Sequence, residues 1–183
     1  MSFNEYLSFY KRNLKVAVPV MLAQARQVTV NLADNIMVGH LGTAELASVS
    51  FANSILVPGI VFGIGFSQGL TPHVGQSFGR KDYKFAGHLL QNAIVLNTGL
   101  AIVLTFIMVV IGSFMGNMGQ SPEIVSLAKG YYNIQIFSIL PFLLFFGARQ
   151  FSEGIGITKY AIYITLAANL INISLNWVLI YGK

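Results

Sequence analysis

Five stretches of this chain are long enough and apolar enough to cross a membrane as helices: residues 15–38, 46–70, 85–112, 124–147 and 160–181. A hydrocarbon core about 30 Å thick takes about 20 helical residues. Inside lipid every backbone N–H and C=O must be paired within the protein, so a span is a helix or part of a closed barrel. A barrel needs alternating segments of about ten residues, and none occur here. The expected fold is therefore all-α, a polytopic membrane helix bundle of about five spans. Turn signals fall between the spans, at Gly39 and Gly42, Gly79 to Asp82, Gly116 to Pro122, and Gly154 to Gly156. Composition agrees: 9% of residues are charged, against about a quarter in a soluble domain. That excludes a soluble enzyme, a disordered chain and a nucleic-acid binder. The eleven Lys and Arg form no basic stripe, and cysteine is absent, which removes disulfides and thiolate metal sites. His40, His73 and His88 lie far apart, and no acid/base pair or nucleophile–base set marks an enzyme.

The N-terminus has a rival reading. Lys11, Arg12 and Lys15 precede an apolar run, and Ala23-Gln24-Ala25 resembles a signal-peptidase site. Helical periodicity, however, continues to Val38, which favours an uncleaved first span. Charge then sets the topology. With the N-terminus cytoplasmic, Lys11, Arg12, Lys15, Arg80, Lys81, Lys84, Arg149 and Lys159 are inside, while Lys129 and Lys183 are outside. Short loops with such a bias obey the positive-inside rule. An odd number of spans ending abruptly at Lys183 fits part of a larger protein.

Polar residues inside spans cost free energy, so they carry the functional information. In the first span Gln24, Gln27, Asn31, Asp34 and Asn35 follow spacings of 3, 4, 3 and 1, an arc of roughly 100° on a helix. This face must meet protein or water, and Asp34 is suited to trading a proton or small cation. Its bland alternative is a helix cap or a water-facing carboxylate near the outer interface. In the fifth span Thr165, Asn169, Asn172 and Asn176 are spaced 4, 3 and 4, within roughly 60° of arc. Asparagine offers both an acceptor and donors. The stripe is either interhelical glue or, with Asp34, a cation site. Tyr131, Gln135 and Ser138 form a weaker stripe in the fourth span, where Tyr131 and Tyr132 are alternatively aromatic-belt residues. Gln91, Thr98 and Thr105 in the third span read as helix-packing residues. Gly59-xxx-Gly63 and Gly65-xxx-Gly69 permit close helix approach, and Pro58 and Pro141 predict kinks. Arg26 lies near mid-span on the face opposite the Gln24–Asn31 stripe; it snorkels, bonds freed carbonyls or meets an acid outside this chain.

The run Asp34-Asn35-Ile36-Met37-Val38-Gly39-His40-Leu41-Gly42, followed by Leu46-Ala47, resembles the N-terminal signature of the multidrug and toxic compound extrusion (MATE) family. Gly69-Leu70-Thr71-Pro72-His73-Val74-Gly75-Gln76-Ser77-Phe78-Gly79 is similar to that family's first cytoplasmic loop. Arg149 with Glu153-Gly154-Ile155-Gly156-Ile157-Thr158 is similar to its next one. Asn172-Ile173-Ser174-Leu175-Asn176 is similar to its fifth-helix Asn-x-x-x-Asn/Asp pattern.

The resemblance implies a twelve-helix fold of two six-helix lobes, with residues 1–183 supplying most of the N-terminal lobe and a second lobe as partner. It implies a multi-pass protein of the bacterial inner (plasma) membrane that exports small cationic drugs or metabolites by antiport. No cofactor is implied beyond Na⁺ or H⁺ as the coupling ion. It places the cation-binding site on Asp34, Asn172 and Asn176, with Tyr131 as a fourth member, and lines the cavity with Gln24, Gln27, Asn31, Asn35 and Asn169. If Na⁺ is the ion, Asp34, Asn172 and Asn176 are its ligands. Some members carry a second acid where this chain has Asn176, so a lone carboxylate with two amides either holds Na⁺ or accepts a proton, with a lean towards Na⁺. Arg26 stands where a small residue is expected. Two other functions are weighed: a lipid-linked oligosaccharide or polysaccharide flippase of the same superfamily, whose cavity should be rich in cations, and a non-transporting membrane assembly subunit.

Overall fold

Every regular element among the described residues is helical. The structure is a computed structural model that describes residues 35–157 and 159–181, with Leu14, Met21, Val28, Thr29 and Leu32; at 159–162, 176 and 179–181 it describes the backbone alone. The helices are α1 (Thr43–Gln68), α2 (Leu70–Gly79), α3 (Tyr83–Ser113), α4 (Pro122–Gly154) and α5 (Lys159–Tyr181), with a 3-10 turn at Met115–Asn117. The chain divides into two compact units, Gly42–Ala168, and Met1–Leu41 with Asn169–Lys183. Among the described residues three helical segments are long and apolar enough to cross a membrane: Thr43–Gly79, Tyr83–Ser113 and Pro122–Gly154. A shorter apolar stretch, Tyr163–Leu175, lies within α5. Most of the first predicted span lies outside the described residues. Its last turn, 35–39, is helical and closes at His40 and Leu41.

Local chemistry explains the boundaries. Asp82 caps α3 by accepting the Phe85 N–H at 3.0 Å. Ser121 caps α4, with Pro122 at its first position and Glu123 in its first turn; both suit a helix N-terminus. The segment expected to be a loop, residues 69–79, is instead a continuation of α1 as the ten-residue helix α2. Pro72 accounts for the interruption at Gly69. It has no N–H to offer the Gln68 carbonyl, and its ring crowds that carbonyl. Within the first turn of α2 the same missing N–H costs nothing.

α2 and α4 end alike. The Asp82 N–H donates to Ser77 O at 3.0 Å and the Lys81 N–H to Phe78 O at 3.0 Å. At the other site the Ile157 N–H donates to Ser152 O at 2.9 Å and the Gly156 N–H to Glu153 O at 3.1 Å. This paired pattern requires a left-handed residue. Gly156 supplies it with φ 79°, whereas Lys81 does so with φ 60°, at the steric cost an L side chain meets there.

Within Gly42–Ala168, α4 touches α1, α2 and α3. Its core joins Ala52 and Leu56 of α1, Ala101, Leu104 and Met108 of α3, and Tyr132, Ile136, Ile139 and Leu143 of α4. The outward faces are apolar too: Ile134 is 75% and Phe137 79% exposed. A helix apolar all round suits lipid. Tyr132 is fully buried and its hydroxyl donates to Met108 O at 2.8 Å; it is a core residue and not part of an aromatic belt.

Candidate functional site

Among the described residues of Gly42–Ala168, hydrogen bonds between polar side chains join the helices in three places. In the first, the Ser67 hydroxyl donates to Asn97 Oδ1 at 2.6 Å and lies 2.9 Å from Gly63 O, while Asn97 Nδ2 donates to Ala93 O at 2.9 Å. Both residues are buried. Asn97 reaches α1 because α3 presents small residues along that face, Ala93 and Ala101 among them, and because Gly147 of α4 makes room. A Cβ on Gly147 would lie 2.7 Å from Asn97 Nδ2. In the second, the Thr71 hydroxyl donates to Gln150 Oε1 at 2.5 Å, joining α2 to α4. This junction also depends on a glycine. A Cβ on Gly154 would lie 2.8 Å from Val74 Cβ and 3.0 Å from the Thr71 carbonyl oxygen.

The third cluster contains a predicted site residue. The Tyr131 hydroxyl donates to Asn53 Oδ1 of α1 at 3.3 Å and accepts from Gln135 Nε2 at 2.9 Å. The Ser138 hydroxyl donates to Gln135 O at 2.7 Å. The stripe expected at Tyr131, Gln135 and Ser138 is thus a hydrogen-bonded line on α4, anchored across to α1. Tyr131 keeps one oxygen lone pair uncommitted by these two bonds.

The other predicted site residues lie in the second unit. Gln24, Arg26, Gln27, Asn31 and Asp34 fall outside the described residues, as does the side chain of Asn176. Asn35 is exposed on the last helical turn before His40. α5 is unbroken from Lys159 to Tyr181, so Asn169, Asn172 and Asn176 keep the i, i+3, i+7 register of one helix face. Asn172 is exposed and is engaged in an interaction of its own. Asn169 differs: its Nδ2 is shielded from solvent and has no hydrogen-bond partner among the described residues. A buried donor left unpaired costs about 1–3 kcal/mol.

Sequence reasoning missed Asn53, Ser67, Thr71, Asn97 and Gln150 as polar contacts. Gln91, Thr98 and Thr105 were expected to pack α3. Gln91 is exposed and the Thr98 hydroxyl bonds its own helix at Ile94 O, 2.7 Å away. Asn97, one position from that stripe, is the residue that bonds across. A usable signal existed in the small residues four positions to either side of it. Of the two glycine motifs, Gly59 and Gly63 abut Met108 and Leu143, whereas a Cβ on Gly65 would meet nothing within 4 Å. The signature pair Arg149 and Glu153 forms an i,i+4 ion pair at 2.8 Å, with the guanidinium 5.6 Å from the Phe146 ring centroid. Among the described residues no group of acidic, His or Cys side chains is arranged to hold a metal ion.

Comparison with known proteins agrees with the architecture. The family model MatE matches residues 19–178. The multidrug resistance protein NorM of Vibrio parahaemolyticus is 32% identical over 170 residues, which is 93% of this chain and 37% of that protein. A solved MOP superfamily transporter from Pyrococcus furiosus superposes with a TM-score of 0.78 at 25% identity, covering 92% of this chain and 37% of the other. A MATE solved in complex with MaL6 gives a TM-score of 0.75 at 22% identity, over 92% of this chain and 39% of the other, and so speaks to the fold. The chain thus spans somewhat over a third of the length of the relatives it matches. Helix content, loop signatures and a match across most of the residues converge on one conclusion: the chain belongs to the MatE family of membrane transporters.

Proposed function

We propose that this chain supplies most of the N-terminal lobe of a secondary active transporter that exports cationic drugs or metabolites in exchange for Na⁺ or H⁺. The observation that carries the reading is the MatE match along 19–178, strengthened by NorM relatives described as multidrug resistance proteins. In this reading the entering ion binds at Asp34 with Asn172 and Asn176, and Tyr131 contributes its remaining lone pair. A lone carboxylate with two amides holds Na⁺ through oxygens or accepts a proton, with a lean towards Na⁺. Ion binding favours the outward-releasing state only through unequal affinity for the two states. The amide of Asn169, whose Nδ2 no described residue meets, supports a cavity-lining role, because a bound ligand or water would satisfy it. The basic end of the Gly42–Ala168 unit, bearing Arg80, Lys81, Lys84 and Arg149, faces the cytoplasm of the bacterial inner membrane under the positive-inside rule.

The test is Asp34→Asn in the protein as its host makes it, with drug efflux followed after an imposed Na⁺ or proton gradient. Efflux should lose its dependence on the gradient while membrane insertion and yield stay normal. Undiminished gradient-driven efflux at equal expression would reject Asp34 as the coupling site. The gradient that restores transport in the unaltered protein identifies the ion.

A further inference from the structure

A groove of about 340 Å³ runs between the α1–α2 junction and α3, bordered by Phe66, Leu70 and His73 on one side and Leu89, Asn92 and Leu96 on the other. It meets a smaller recess of about 90 Å³ that shares His73 and adds Gln76, Arg80, Asp82 and Phe85. His73 borders both, and Phe85 of the recess shares one face of α3 with Leu89, Asn92 and Leu96 of the groove, at spacings of 4, 3 and 4. From Phe85 to Leu96 that face is about 16 Å long at 1.5 Å per residue, close to the depth of one leaflet, about 15 Å of hydrocarbon. Chemistry changes along its length. Phe66, Phe85 and Leu96 are exposed apolar side chains. The end at the α2–α3 turn carries Arg80, Lys81 and Lys84, all exposed, and none forms an ion pair with a described residue. Asp82 also borders the recess, but its Oδ1 is held by the Phe85 N–H as the cap of α3.

We infer that this groove binds an anionic glycerophospholipid, with one acyl chain along Leu70, Leu89 and Leu96 and the phosphate beside Arg80 and His73, at the turn that also carries Lys81 and Lys84. Charge complementarity decides the occupant. An uncharged segment of protein would match the apolar stretch but leave the three cations of the 80–84 turn against the single carboxylate of Asp82, whereas a net basic turn at a membrane surface attracts anionic headgroups. The inference is independent of transport, since it needs only the groove and a bilayer.

Native mass spectrometry of the protein as its host makes it, purified in detergent and offered phosphatidylglycerol or phosphatidylcholine of matched acyl length, tests it. Phosphatidylglycerol should be retained several-fold more than phosphatidylcholine. Arg80→Gln with Lys84→Gln should bring the two lipids level, while Lys129→Gln, at the other end of the unit, should leave the preference unchanged. Leu96→Trp, an exposed site whose indole would block the groove, should reduce retention of both lipids. Equal retention of the two lipids by the unaltered chain overturns the inference. So does a preference that survives the double substitution, or one abolished as fully by Lys129→Gln.

Discussion

The Gly42–Ala168 unit and Asn169, in the half of α5 beyond it, differ in how a buried amide is met. In the first, Ser67 with Asn97, Thr71 with Gln150, and Tyr131 with Asn53 and Gln135 satisfy one another across helix boundaries. In the second, Asn169 holds a buried donor that no described residue meets, and the register of α5 sets Asn172 and Asn176 on its face. Satisfied interhelical amides hold helices together; an unsatisfied one is retained at a cost to stability and is the better candidate for a ligand.

That contrast can be broken most forcibly at Gly154. Gly154→Val forces carbon against the Thr71 backbone and Val74 Cβ. It should cost about 3 kcal/mol or more, at the upper end of overpacking penalties, and appear as loss of folded yield and a large drop in detergent melting temperature. Ser67→Val comes next. It strands the buried Asn97 Oδ1 and should cost about 1–2 kcal/mol, in the range of a lost interhelical bond, measured by denaturant titration in micelles. Asn169→Leu should behave differently: stability unchanged or raised by up to about 1 kcal/mol, because an unpaired donor disappears, with transport of cationic drugs impaired. A destabilised Asn169→Leu with normal transport would place Asn169 among the glue. The smallest effect belongs to Gly65→Ala. With open space around it the added methyl should stabilise by less than about 1 kcal/mol through helix propensity, whereas Gly63→Ala, facing Leu143, should destabilise.

Much of the fold was legible because its determinants are local. Helix capping at Asp82 and Ser121 and the turn at Gly154 to Gly156 follow from a few adjacent residues. Other features depended on a competing local rule. Residues 69–79 are expected to be a loop from their resemblance to the family's first cytoplasmic loop, yet they form a helix with Pro72 in its first turn, where its missing N–H is harmless. The turn expected at Gly79 to Asp82 is present, with Gly79 still helical and Lys81 in the left-handed position. The candidate site was legible only as stripes. Tyr131, Gln135 and Ser138 were found by spacing, while Asn53, their partner on α1, stood in no stripe and had no signal of its own.

What the sequence determined alone is the class of the molecule: an all-helical membrane chain with its signatures in MatE order. Span length, the scarcity of charge and the need to pair every backbone group in lipid are properties of segments, and they hold before any two helices meet. Tertiary structure decided which polar residues are consumed and which glycines are used. Asn97 bonds across where Gln91, Thr98 and Thr105 do not, and Gly59 and Gly63 are covered where Gly65 is not. The physical reason is directional. A hydrogen bond or a close approach exists only where one helix face meets another, and a single helix leaves the choice of neighbour open.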